Sequence, residues 1–188
     1  MTVLALDPTT GGVDVGAHLA LAPRPRSLEG HVLGIVANGL GISEVMFDRL
    51  GELLRESDGL AGVVKVVKPS VAVPPWPEQW AEIVEHATVA VTGFGGCGSC
   101  STRSMRDALD LEAIGIPSVC VGHTALLPAV EALARLVGAT DYPMVDIGYP
   151  ANPTGVWLKE EAEGIADLVV DRVRNRRASP RRARVWAG

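Results

Sequence analysis

Residues 89–100 read VAVTGFGGCGSC. The first four are apolar or β-branched, as in a buried strand, and the glycines and cysteines after them predict a tight loop before a segment with helical spacing. A strand, a glycine-rich loop and a helix in this order are typical of α/β domains, whose binding sites form at the carboxyl ends of parallel strands. The stretch therefore predicts an α/β fold with a site at this edge of the sheet.

Similar pairs of strand and helix recur along the chain. Short apolar runs predict strands at residues 31–36, 62–67, 88–92, 118–121 and 143–147. Apolar residues at helical spacing predict five helices, the last at about 158–176. Because aromatic residues make up only 4% of the chain, its core depends on Val, Leu, Ile and Ala, which suits parallel strands buried between helices. We expect a mainly parallel five-stranded sheet with helices on both faces, of the Rossmann or flavodoxin type.

Length and composition predict one domain with an extension at each end. At 188 residues the chain is too short for two domains of ordinary size. Residues 1–30, rich in Pro, Gly and Thr, predict an irregular N-terminal arm, and residues 31–177 the α/β domain. Residues 178–188 predict a basic, flexible tail, since residues 172–188 hold seven arginines and no acidic side chain. So short a terminal block does not favour nucleic-acid binding.

The compartment follows from what the sequence lacks. We find no charged leader before an apolar segment, and no apolar run near the roughly 18 residues of a membrane span, so we expect a cytoplasmic protein without membrane contact. Three cysteines, an odd number, then favour thiol chemistry or metal binding over a structural disulfide framework.

Cys97 and Cys100 are the candidate catalytic cysteines. Cys97 lies in the loop after the third predicted strand, and Cys100 falls in the first turn of the next helix. Unpaired N–H groups and the helix dipole stabilise a thiolate there, and Arg103 can add positive charge. Two cysteines three positions apart can also close a disulfide once one has reacted, which is the arrangement of thiol oxidoreductases.

Other candidate residues belong to the same edge of the sheet. The predicted substrate contacts are Asn38, Ser43, Lys68, Gly95, Gly96, Gly98, Ser99 and Arg103. Glycines let backbone amides approach a carboxylate or an oxyanion. Ser43 is equally a helix N-cap, and Lys68 is equally a solvated lysine. His123, after the fourth strand, is a candidate catalytic acid or base.

Cysteine spacing leaves a metal site open as an alternative. Cys97 and Cys100 are followed, after 19 residues, by Cys120 and then His123, which is a zinc-like series of three thiolates and an imidazole. Against zinc, the intervening residues predict a full crossover helix rather than the short hairpins of a zinc ribbon. We therefore expect no metal, and Cys120 as a buried strand thiol that packs like a small apolar side chain.

The cysteine motif and two further segments carry a family resemblance. Residues 91–101 read VTGFGGCGSCS, residues 108–117 read ALDLEAIGIP, and residues 68–70 read KPS. With these segments, residues 31–172 resemble the UGSC family of selenoproteins and their cysteine homologues, in which selenocysteine or Cys precedes Gly-Ser-Cys. The resemblance puts Cys97 in the selenocysteine position as the nucleophile, with Cys100 as its partner. The motif is more distantly similar to the glycine, sarcosine and betaine reductase B components, which implies reductive cleavage of a carbon–heteroatom bond.

Together the residues and the resemblance predict a thiol-dependent, reductase-like enzyme for a small, carboxylate-bearing substrate. We expect no bound cofactor, and reduction by an external thiol or a protein reductant. One alternative is a cofactor-independent isomerase, lyase or racemase that uses cysteine acid–base chemistry. Another is a non-catalytic accessory subunit of a larger reductase or biosynthetic complex. We expect either a homo-oligomer or a partner subunit of such a complex.

Overall fold

The computed structural model describes residues 19–41, 43–140, 142 and 144–147. Most of the predicted arm, the last predicted helix at about 158–176 and the basic tail at 178–188 lie outside these residues. Residues 19–31 contain neither helix nor strand. The domain boundaries at 30 and 177 therefore stay predictions.

The described residues form five strands and four α-helices. The strands are β1 (Val32–Ala37), β2 (Gly62–Val67), β3 (Val89–Gly95), β4 (Ser118–His123) and β5 (Met144–Ile147). The helices are α1 (Ser43–Asp58), α2 (Pro77–His86), α3 (Gly98–Ala113) and α4 (Leu127–Leu136), and a short 3-10 turn, Thr124–Leu126, precedes α4. Within this part of the chain, we find no helix with the length and apolar character that crossing a membrane requires.

The five strands form one all-parallel sheet in the order β2-β1-β3-β4-β5. This confirms the predicted fold class. The chain moves outward from β1 to β2 and then returns to the other side of β1 with β3, so the strand order reverses between β1 and β3. Ligands of such sheets bind in the crevice beyond the carboxyl ends of the strands at this reversal. The cysteine loop follows β3 and therefore lies at that point.

Helices cover both faces of the sheet because successive strand residues point to opposite sides. Val91 of β3 packs in the cluster that contains Phe47 and Leu50 of α1. Ala90, its neighbour, packs on the other face with Ile83 of α2 and Leu111 of α3. A third cluster joins α3 and α4 to β4. The side chains in all three clusters are mainly aliphatic, as the composition predicts.

Strand β3 continues to Gly95, three residues beyond its predicted end at residue 92. Gly93 permits this path because it has φ +148°, and because a Cβ there would lie 2.6 Å from the carbonyl oxygen of Val121. Helix α3 begins at Gly98 with Cys97 as its N-cap, so Cys100 lies in its first turn, as predicted. The loop between strand and helix is therefore short, which fixes the position of Cys97 relative to the sheet.

Candidate active site

Cys97 and Cys100 form a disulfide at the N-terminus of α3, with their Cα atoms 5.1 Å apart. Cys97 has an extended backbone and is the N-cap, so its Sγ accepts the N–H of Cys100 at 3.2 Å. Its carbonyl oxygen accepts the N–H of Ser101 at 2.9 Å and the Ser101 hydroxyl at 2.7 Å. Cys97 is partly exposed, whereas Cys100 is fully buried. Only the first sulfur of the pair is thus open to a substrate.

The N-cap position favours the thiolate of Cys97 once the disulfide is reduced. A sulfur held there faces the N–H of Cys100 and the positive end of the α3 dipole, both of which stabilise negative charge. The hydroxyl of Ser99 lies 3.6 Å from the Cys97 sulfur. The structure therefore brings Cys97, Cys100 and Ser99 together, as the sequence predicts.

The three predicted glycines, at the end of β3, in the loop and at the start of α3, have different surroundings. A Cβ on Gly95 would lie 2.9 Å from the Cα of Ser101, and a Cβ on Gly96 would collide with the side chain of Leu40. Nothing lies within 4 Å of a Cβ on Gly98. The protein itself thus fills the space beside Gly95 and Gly96, whereas the space beside Gly98 is open to a ligand.

Asn38 holds the cysteine loop rather than facing solvent. It follows β1 and is buried, and its side-chain amide pairs with both polar groups of one peptide residue. Nδ2 donates to the carbonyl oxygen of Phe94 at 2.6 Å, and Oδ1 accepts the N–H of Phe94 at 3.1 Å. Oδ1 also accepts the N–H of Leu40 at 3.1 Å. Asn38, predicted as a substrate contact, therefore joins the β1 loop to the end of β3.

Replacing Asn38 with alanine should lower the free energy of unfolding by about 1–3 kcal/mol. Alanine removes the acceptor that the buried N–H of Phe94 and the part-buried N–H of Leu40 use, and it removes one donor to the Phe94 carbonyl oxygen. Urea unfolding measures this loss. Asn38→Asp should cost at least as much. It keeps an acceptor for both N–H groups, but it puts a buried carboxylate oxygen against the Phe94 carbonyl oxygen. If both variants unfold at the wild-type urea concentration, Asn38 does not hold the loop.

Lys68 and Arg103 meet at Asp107 of α3. The Lys68 Nζ lies 2.7 Å from Asp107 Oδ2, and both side chains are fully buried. Arg103 donates to Oδ1 through Nε at 2.9 Å and Nη2 at 2.6 Å. Burial lowers the pKa of Lys68 and raises the pKa of Asp107, because both charged forms lose hydration. Lys68 is therefore enclosed, neither solvated nor open to a substrate carboxylate in this structure.

Ser43 is the first residue of α1 and is fully buried. Its Oγ makes no capping bond, and it is the one buried side-chain polar atom without a hydrogen-bond partner in the described part of the chain. Neither the predicted cap nor an accessible substrate contact is present at this residue.

His123 ends β4 next to the cysteine loop, because Gly122 pairs with Gly95 across the sheet. The side chain is largely covered, and its Nδ1 accepts the N–H of Ala125 at 2.9 Å. Burial lowers the pKa of His123 below its ordinary value, so the ring is neutral near pH 7. A neutral ring with this bond carries its proton on Nε2.

Cys120 does not join the cysteine pair. It lies within β4 opposite Thr92 of β3, and burial raises the pKa of its thiol to about 12. No three His, Cys, Asp or Glu side chains among the described residues are placed to hold a metal ion. In this geometry the four residues of the zinc alternative are not placed to bind one ion. Because Cys120 is buried, it is also not accessible as a second cysteine for the isomerase or racemase alternative.

Asp107 binds two of the predicted residues but was not itself predicted. Its position four residues after Arg103 is a local signal, since side chains at this spacing on a helix are neighbours. The bond to Lys68 spans 39 positions and has no comparable signal.

Likenesses to known proteins come from a family model and from solved structures. A comparison with curated proteins finds no match. Among solved structures, the FMN-dependent cysteine decarboxylase SpaF is 14% identical, with 78% of this chain and 98% of that chain covered and a TM-score of 0.40. Translation elongation factor SelB of Methanococcus maripaludis, crystallised with a GTP analogue, is 11% identical, with 79% and 35% covered and a TM-score of 0.41. Neither likeness carries an argument about function. The family model that matches residues 4–176 does identify the chain, which belongs to the UGSC family.

Proposed function

We propose that this chain is a thiol-dependent, reductase-like enzyme that acts on a small, carboxylate-bearing substrate. The observation that carries the proposal is the unequal exposure of the two bonded cysteines. Cys97 is partly exposed at the N-cap of α3, and Cys100 is buried beside it. An exposed sulfur can attack a substrate, whereas a buried sulfur bonded to it is placed to attack only that sulfur.

The proposed reaction has two steps. In the first, the Cys97 thiolate displaces a heteroatom from a substrate carbon, so a sulfur–carbon bond forms and the heteroatom leaves with the bonding pair and takes a proton. In the second, the Cys100 thiolate attacks the Cys97 sulfur, and the carbon leaves with its bonding pair and takes a proton. The substrate gains two electrons, and the cysteines lose two as their disulfide. An external dithiol or a protein reductant restores the thiols by exchange.

The surrounding residues have matching roles in this proposal. The N–H groups of Gly98 and Ser99 at the first turn of α3 stabilise negative charge next to Cys97. The neutral His123 ring, which ends the neighbouring strand, donates an Nε2–H hydrogen bond that stabilises charge on the leaving group, and solvent supplies the proton. The reaction needs no bound cofactor. We propose that the chain acts either as a homo-oligomer or with a partner subunit that carries the reductant. Light scattering after gel filtration measures the mass of the assembly.

Mass spectrometry of trapped adducts tests the proposal. Reduced Cys100→Ser protein is incubated with short carboxylates that carry an amino, halogen or hydroxyl group on the α-carbon. We expect one adduct on Cys97, because the variant cannot resolve it, while wild-type protein returns the dehalogenated, deaminated or deoxygenated acid together with the disulfide. Cys97→Ser should give no adduct, and Cys120→Ser, the matched control, should behave as wild type.

Two results would count against this function. Adducts that form equally in the Cys97→Ser variant would show that Cys97 is not the nucleophile. Deuterium from the solvent entering an otherwise unchanged substrate, without disulfide formation, would favour isomerase or racemase chemistry instead.

A further inference from the structure

An open cleft of about 290 Å³ lies between the loop after β2 and helix α3. Trp80 with Pro75 and Pro77 lines one side, and Arg103 with Asp107 and Asp110 lines the other. The cleft thus has an apolar wall that includes an aromatic ring, facing a charged wall. Its volume is near the lower limit for sites that bind small molecules.

The apolar wall is held in place by Gln79 of α2. Its Nε2 donates to the carbonyl oxygen of Val67 at the end of β2, at 2.6 Å. Its Oε1 accepts the N–H of Trp76 at 2.9 Å. These bonds tie the start of α2, where Pro77 and Trp80 lie, to the end of β2.

The charged wall has an excess of positive charge. Asp107 receives Lys68 on one oxygen and Arg103 on the other. Asp110 receives Arg106 at 2.7 Å and the Nη2 of Arg103 at 3.2 Å. All four carboxylate oxygens are therefore already bonded to cations, and the cluster holds three cations against two carboxylates. None of these bonds uses the Nη1 of Arg103, whose side chain is 22% exposed.

We propose that this cleft binds a small, planar, apolar carboxylate between Trp80 and Arg103. One negative charge neutralises the excess of the cluster, and Arg103 is already oriented by two aspartates to donate to it. Trp80 and the prolines cover the apolar part of the ligand. Asp107 and Asp110 repel a second carboxylate and have no free oxygen for a cation.

The location of the cleft connects it to the cysteine pair. Arg103 lies three residues after Cys100 in α3, which is a rise of about 4.5 Å along the helix. The cysteines do not line the cleft, so a carboxylate bound at Arg103 lies about one helical turn from Cys100. The inference rests on the proposed function only in taking the bound carboxylate to be the substrate.

Fluorine NMR of the oxidised wild-type chain tests binding apart from chemistry. The probes are 4-fluorophenylacetate, 4-fluorobenzyl alcohol and 4-fluorobenzylamine, which share the ring and differ in charge. We expect 4-fluorophenylacetate to bind at least tenfold more tightly than the other two. Arg103→Gln should weaken its binding at least tenfold, and Trp80→Leu should weaken it severalfold. Arg135→Gln, a change to an exposed arginine on α4, is the matched control and should leave binding unchanged.

The inference fails if the three probes bind alike, or if none binds when the probe is in 10-fold excess over millimolar protein. It also fails if neither Arg103→Gln nor Trp80→Leu weakens binding while circular dichroism shows that both variants are folded. Since the disulfide is intact in this experiment, its outcome is independent of Cys97 reactivity. Adducts on Cys97 without probe binding in the cleft would overturn the proposed binding site but not the proposed reaction. Probe binding without adducts would overturn the proposed reaction but not the binding site.

Discussion

Replacing Asp107 with alanine is expected to lower the free energy of unfolding by about 3–5 kcal/mol. The Asp107 carboxylate is buried and bonds both Lys68 and Arg103. Alanine would leave the Lys68 ammonium in a fully buried position without its counter-charge. Desolvation of an uncompensated charge is among the largest costs a single substitution can cause.

The intact ion pair is nevertheless not a net source of stability. Burial lowers the pKa of Lys68 and raises the pKa of Asp107, so lost hydration outweighs the attraction between the two groups. Replacing both partners with apolar residues of similar size removes both costs. Lys68→Met combined with Asp107→Leu should therefore recover part of the stability that Asp107→Ala loses, since Arg103 then keeps only its bond to Asp110.

Urea unfolding monitored by circular dichroism measures these changes. Asp48→Ala is the matched control, because Asp48 also binds a lysine, Lys65 at 2.6 Å, but on the surface. Its expected loss is below about 1 kcal/mol. Equal losses for Asp48→Ala and Asp107→Ala would contradict the argument. So would a double variant no more stable than Asp107→Ala alone.

The alternation of strands and helices could be predicted because it depends on local periodicity. All five predicted strands are present, and residues 62–67 match β2 at both ends. The end of β3 could not be predicted in the same way. Gly93 resembles a loop residue, and the bonds that keep Phe94 in the strand come from Asn38, 56 positions earlier.

The candidate site likewise contains features that local sequence predicted and features that it did not. Placing Cys97 before α3 and Cys100 in its first turn required only neighbouring residues, and the structure has both there. For Asn38, Ser43 and Lys68, the sequence predicted the correct edge of the sheet but not that the side chains are buried. Their surroundings come from distant segments, so burial and hydrogen bonding could not be inferred from spacing.

Replacing Glu112 with alanine should also cost about 3–5 kcal/mol, at the opposite edge of the sheet. The Glu112 side chain is fully buried and accepts backbone N–H groups from Ala22 at 2.7 Å and Ser118 at 2.6 Å. Arg24 bonds both carboxylate oxygens, at 2.8 and 2.7 Å. One carboxylate therefore joins α3, the start of β4 and the segment before β1. Alanine would leave the N–H groups of Ala22 and Ser118 without this acceptor, and Arg24 without its counter-charge.

Two milder variants separate the charge of Glu112 from its hydrogen bonds. Glu112→Gln keeps one acceptor oxygen but turns an NH₂ group toward other donors, so it should cost less than alanine. Arg24→Gln leaves the carboxylate with its backbone donors and should cost least. Exchange of the Ala22 amide hydrogen should accelerate in the same order, because this bond holds that segment. Glu131→Ala, at an exposed glutamate on α4, is the control. If the Ala22 amide hydrogen exchanges in Glu112→Ala at the wild-type rate, the bond from Ala22 to Glu112 does not hold the segment before β1.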